Sequence, residues 1–178
     1  MFAQVTDIRA SGSKFLPGRS RILLAVFSLI LVVGMVPIAE AVDTARPLRS
    51  FKVEGAYDDV RFDLESAIVN AGLKIVYNGN IADMLGRTAS AVGAKKSIYD
   101  NAEFFTFCSS PHSHATMGAD PHNVGYCPYL LYVYSISGEK NVTYVGYRRP
   151  VIAGTDESKK SLMALDKLLE SLIKDAIE

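Results

Sequence analysis

Residues 22–36 (ILLAVFSLILVVGMV) are fifteen consecutive positions without a charge. A helix in a soluble core shows an apolar stripe of period 3.6, whereas this run is apolar all round. Ahead of it, Arg9, Lys14, Arg19 and Arg21 stand against a single acid, Asp7, and Ala39-Glu40-Ala41 follows. A basic flank, an apolar run and an A-x-A site together form the pattern of an export signal. An apolar helix partitions into the bilayer while its basic end stays in the cytosol. Two readings stand. Residues 1–41 are either a signal peptide cleaved after Ala41 or an uncleaved N-terminal membrane anchor, since the stretch reaching Ala39 is near the roughly 20 residues that span a bilayer. Both place residues 42–178 outside the cytosol, in a periplasmic or other extracytoplasmic compartment.

Charge then divides unevenly. The whole chain holds 19 basic and 19 acidic residues, but residues 42–178 hold 15 and 17. A mildly acidic domain has no bulk basic field for nucleic acid, so nucleic acid is not an expected partner. With 178 residues, 49% of them hydrophobic, the chain can build one core or two very small ones and is not a disordered tail.

Residues 42–50 read as a polar linker and residues 51–178 as a single domain. A first strand is predicted over 50–53. A helix over 58–71 follows, with Val60, Leu64, Ala67, Ile68 and Ala71 on one face and Gly72 at its end. Residues 74–77 (KIVY) predict a short strand closed by the turn signal Asn78-Gly79-Asn80. A helix over 81–92 ends at Gly93, and residues 103–108 (EFFTFC) read as a strand. Ser110-Pro111 predicts the start of a short helix, ended by Asp120-Pro121. Residues 129–136 and 142–148 flank Gly138-Glu139-Lys140-Asn141 as a hairpin. Thr155 caps a last helix over 156–177, apolar at Leu162, Leu165, Leu169, Leu172, Ile173 and Ala176. The order β-α-β-α-β-α-β-β-α, with helices carrying one apolar stripe each, predicts an α/β two-layer sandwich. Its expected sheet is mixed, of about five strands, with helices mainly on one face.

All three histidines and both cysteines fall between positions 108 and 127, in the order Cys108, His112, His114, His122, Cys127. Three chemistries fit. Sulfur and imidazole suit a transition metal or haem, with Cys108, His114, His122 and Cys127 as the ligand set. Residues two apart on a helix point in nearly opposite directions, so His112 and His114 cannot both face one ion. In an oxidising compartment, two cysteines in one domain pair as a disulfide. Antiparallel neighbouring strands would bring Cys108 and Cys127 together, and a parallel crossover would hold them apart. Thirdly, Cys108 precedes a helix N-terminus, where a thiol pKa falls and a nucleophile can form.

Paired Arg148 and Arg149 end a strand, where a guanidinium can fork onto a carboxylate or phosphate. Tyr132 and Tyr134 share one strand face and can line a pocket or a dimer surface. His122, Asn123, Tyr132, Tyr134, Arg148 and Arg149 are the ligand-binding candidates. No glycine-rich phosphate loop, G-x-S-x-G or H-E-x-x-H motif occurs. The chain therefore reads as an accessory module binding a small ligand, metal or redox group at 108–127. The alternative is a disulfide-stabilised interaction domain without catalysis.

The run DPHNVGYCPYLLYVY (120–134) followed by YVGYRRP (144–150) resembles the domain-of-unknown-function family number 302. FTFCSS (105–110), residues 58–75 and IADMLGRT (81–88) are similar to it as well. The resemblance covers about residues 51–177. It implies a compact α/β domain that often forms homodimers, and it brings no catalytic residue or cofactor. The matching positions are Cys108, Asp120, Pro121, Asn123, Cys127, Pro128, Arg148, Arg149 and Pro150.

Overall fold

The computed structural model describes residues 47–178. The segment at 1–41 expected to direct export and most of the expected linker lie outside the described residues. Among the described residues, no helix is long and apolar enough to cross a membrane.

Strand β1 (Leu48–Glu54) leads into α1 (Tyr57–Asn70), and β2 (Ile75–Asn80) runs directly into α2 (Ile81–Thr88) and a 3₁₀ turn at Ala89–Val92. Strand β3 (Tyr99–Phe107) is followed by α3 (Ser110–Ala119) and a 3₁₀ turn at Pro121–Tyr126. The hairpin β4 (Tyr129–Ile136) and β5 (Val142–Arg148) precedes the long α4 (Asp156–Ile177). The hairpin and α4 have the bounds expected from the sequence. Thr155 Oγ1 accepts from the Ser158 amide at the start of α4, 3.1 Å away. Gly93 closes the α2 segment at φ 70°, a left-handed position that suits glycine.

Two local expectations are corrected. The Asn78-Gly79-Asn80 stretch is strand, not turn. Gly79 pairs with Phe104, and a Cβ there would overlap the Phe104 ring. Asn80 ends the strand by capping α2, its Oδ1 accepting from the Asp83 amide at 2.8 Å. The expected linker also ends sooner, because β1 begins at Leu48 and zips onto β5 along its whole length.

The sheet order is β1-β5-β4-β3-β2, and all four pairings are antiparallel. The five strands are as expected, but the sheet is not mixed. The reason lies in the connections. The α2 and α3 segments each join strands that are neighbours in the sheet, so the chain turns back on itself instead of crossing over. Only α1 makes a long jump, from β1 at one edge to β2 at the other.

The core lies between the sheet and two helices. From α1 come Val60, Leu64, Ala67 and Ile68, and from α4 come Leu165, Leu169, Leu172, Ile173 and Ala176. These meet Phe105 and Phe107 of β3, Tyr129, Leu131 and Val133 of β4, and Val145 and Tyr147 of β5. Each buried Leu, Ile, Val or Phe side chain contributes roughly 1.5–3 kcal/mol. Strand alternation sends every second side chain the other way. Among the described residues, neither α1 nor α4 covers that second face, and the candidate site lies on it beside Ile81 of α2.

Candidate functional site

Register fixes the residues of this second face. Ser50, Gly146, Tyr132, Phe104 and Gly79 follow one another across all five strands. Beside them run Lys52, Tyr144, Tyr134 and Ala102. Gly146 has no Cβ because the Tyr132 ring and the Arg49 carbonyl occupy that space. Glycine on two strands thus gives the aromatic rings of their neighbours room to lie flat.

Those rings hold one another. Tyr134 stacks on Tyr144 with centroids 5.0 Å apart and planes 12° apart. Tyr99 meets Tyr134 edge-on at 5.5 Å, and Tyr132 lies 6.1 Å from Tyr134. Phe104 meets Tyr77 at 5.7 Å. The Tyr132 hydroxyl donates to the Arg49 carbonyl at 3.0 Å and accepts from Ser50 Oγ at 2.7 Å. Tyr144 donates to Glu139 at 3.0 Å. Burial pushes the Tyr132 and Tyr134 hydroxyls above their ordinary pKa, so both stay neutral through the physiological range.

A cavity of about 470 Å³ opens on this face. Phe104, Leu130, Tyr132 and Tyr134 line it, Leu48 and Ile81 close two sides, and Arg148 stands at one end. A volume of 300–1,000 Å³ with mostly apolar walls and a few polar groups is typical of small-ligand sites. Glu103 also borders it, but its carboxylate accepts from Tyr57, Arg61 and Asn78 at 3.0, 3.1 and 3.0 Å.

The structure divides the sequence candidates. Tyr132, Tyr134 and Arg148 are brought together in the cavity. Arg149, one residue on, points the other way and forks onto Asp166 of α4 at 2.9 and 3.3 Å. Asn123 is buried under α3 and α4, donating to the Thr116 carbonyl at 2.9 Å and Ser158 Oγ at 3.0 Å. Its role is to tie the 3₁₀ turn to both helices. His122 is exposed on that turn, away from the cavity.

Cys108 and Cys127 form a disulfide, with Cα atoms 6.2 Å apart. Phe107 pairs with Tyr129 across the antiparallel β3–β4 ladder, so the residues just outside that pair meet. The bond takes both sulfurs from the metal and nucleophile readings, because a disulfide sulfur is not a thiolate. His114 is exposed, and Ser109 Oγ lies 3.0 Å from His112 Nδ1. Among the described residues, no three His, Cys, Asp or Glu side chains are grouped to hold a metal ion. At the expected centre of Cys108, His114, His122 and Cys127 the two cysteines are thus a covalent staple, and His114 and His122 are exposed.

Sequence reasoning missed Leu48, Ser50, Ile81, Tyr99 and Phe104. The strand alternation was there to read, but the aromatic face emerges only once the five-strand order is known.

No protein-family model and no curated protein matches the sequence. Among solved structures, the chain is similar to an uncharacterized conserved protein DUF302 from Bacillus stearothermophilus. The TM-score is 0.60 at 15% identity, covering 74% of this chain and 99% of that one. The domain has a DUF302-like fold. Likeness at this identity extends the sequence resemblance to architecture, and it assigns no activity.

Proposed function

We propose that this chain is an extracytoplasmic binding module that holds a small, largely apolar ligand on the open face of its sheet. The observation that carries the reading is the cavity of about 470 Å³ floored by Phe104, Tyr132 and Tyr134. An apolar surface left bare in a soluble domain is a binding surface by default. The rings are preorganised by hydrogen bonds and stacking, so a flat or chain-like guest loses little affinity to their ordering. No covalent chemistry is assigned to the module. The disulfide supports the location, since such bonds persist outside the reducing cytosol, and it agrees with the export pattern at 1–41.

The test is fluorescence titration of the domain with phenylnaphthylamine, a neutral apolar dye. Saturable one-to-one binding, weakened about tenfold by Tyr134→Ser with the unfolding midpoint preserved, is the expected result. Absence of saturable binding would remove the ligand reading.

The same bare face favours one other reading, a homodimer in which two sheets stack. Light scattering decides between them. A dimer that Tyr134→Ser converts to monomer, with no dye uptake, would make the face an interface.

A further inference from the structure

We propose that the ligand is an amphiphile with a single anionic group, and that Arg148 binds this group while the tail lies over the rings. The inference rests on the cavity reading above and adds the ligand's charge. Its starting point is the unequal treatment of two adjacent arginines. Arg149 is held by Asp166 on the helix side. Arg148 falls on the open face, in line with Gly146 and Tyr144, and is exposed. Among the described residues, no carboxylate pairs with Arg148. The other described arginines, Arg49, Arg61, Arg87 and Arg149, all have ion pairs.

Arg148 lines the end of the cavity together with Leu130, and both also border a smaller groove against Tyr126 and Pro128. A guanidinium there meets an incoming anion before the apolar wall begins. The one acid among the described residues that lines the cavity, Glu103, already has its charge met by Arg61, and Glu139, outside the lining, accepts from Tyr144 at the far end of the ring stack. Lys52 is the other cation on this face, but it does not line the cavity. Charge and shape therefore agree on one polarity, with the anion at Arg148 and the apolar body towards Phe104 and Tyr134. A planar guanidinium grips a carboxylate or sulfonate with two parallel hydrogen bonds.

Two dyes with a shared skeleton test this. Anilinonaphthalene sulfonate carries the anion, and phenylnaphthylamine lacks it. Wild-type protein is expected to bind the sulfonate about tenfold more tightly. Arg148→Gln should weaken sulfonate binding about tenfold more than neutral-dye binding and so abolish the preference, Arg148→Lys should restore part of it, and Lys52→Gln, outside the cavity lining, should leave the preference unchanged. Exposure of Arg148 makes loss of folding an unsuitable explanation, and thermal midpoints check it. Equal binding of both dyes, or a preference that disappears with Lys52→Gln instead, would overturn the inference while leaving the cavity reading intact. Failure of both dyes to bind wild-type protein would overturn the two together.

Discussion

Glu103 sits on the helix side of β3, where Tyr57, Arg61 and Asn78 all donate to it. Burial pushes its carboxyl up, but the donors and the Arg61 charge outweigh burial, and the net pKa is lowered. A carboxylate with a lowered folded pKa adds stability above its unfolded value, and that stability is lost as pH falls through the folded pKa. Glu103→Gln should therefore destabilise the domain near neutral pH, with the gap to wild type closing below about pH 4.3, the ordinary glutamate value. Urea unfolding across this range checks it, and a gap that is constant with pH would sink the assignment. Tyr147 presents the opposite case. It is buried, its hydroxyl lies near Arg49 and Asp166 but makes no well-formed hydrogen bond among the described residues, and burial first, then the nearby Asp166 charge, raise its pKa to about 12. Removing an unsatisfied buried hydroxyl is neutral or favourable. Tyr147→Phe should change stability by no more than about 1 kcal/mol, in the favourable direction, and a larger loss on urea unfolding would show a hidden partner.

At the scale of elements, the disulfide decides how the α3 connection behaves. Cys108 leaves β3, Cys127 precedes β4, and 19 positions separate them. Closing a loop of that size contributes about 3 kcal/mol in the chain-entropy model. Cys108→Ser and Cys127→Ser should each cost about that amount, and the double variant should cost no more than either, since one bond is lost in all three. Additive losses in chemical unfolding would mean that the sulfurs act separately. Local pattern made β4, β5 and α4 legible because each signal, alternation or a 3.6-residue stripe, is carried within the element. Asn78-Gly79-Asn80 misled because a turn signal and an aromatic packing against glycine use the same residue; only the partner Phe104 tells them apart. Strand direction was unreadable for a related reason. The α3 segment is long enough for either a crossover or a return, and the pairing of Phe107 with Tyr129 is a tertiary fact. The cavity was half legible: Tyr132, Tyr134 and Arg148 were visible from one hairpin, while Phe104 depends on the β3–β4 direction that the sequence leaves open, and Leu48 comes from a strand far away in sequence.

For the molecule as a whole, asymmetry is the organising fact. Two helices carry apolar stripes, α1 and α4, and together they cover one side of five strands. Among the described residues, the other side keeps Phe104, Tyr132, Tyr134 and Tyr144 only half-buried, and a thin two-layer domain of this size has little stability in reserve. The staple at Cys108–Cys127 then matters for where the protein can work. In a reducing compartment the bond opens and the domain loses its contribution; outside the cytosol it persists. Fold and export pattern therefore make a joint prediction about the full-length chain. Expressed in a bacterium with an export pathway, it should fractionate with the membrane or the periplasm. Thiol blocking of the intact protein before any reductant is added should find no free cysteine. Recovery from the cytosol with two free thiols would break the link between leader and staple, because the leader would then not export the chain and the bond would not form where the protein resides.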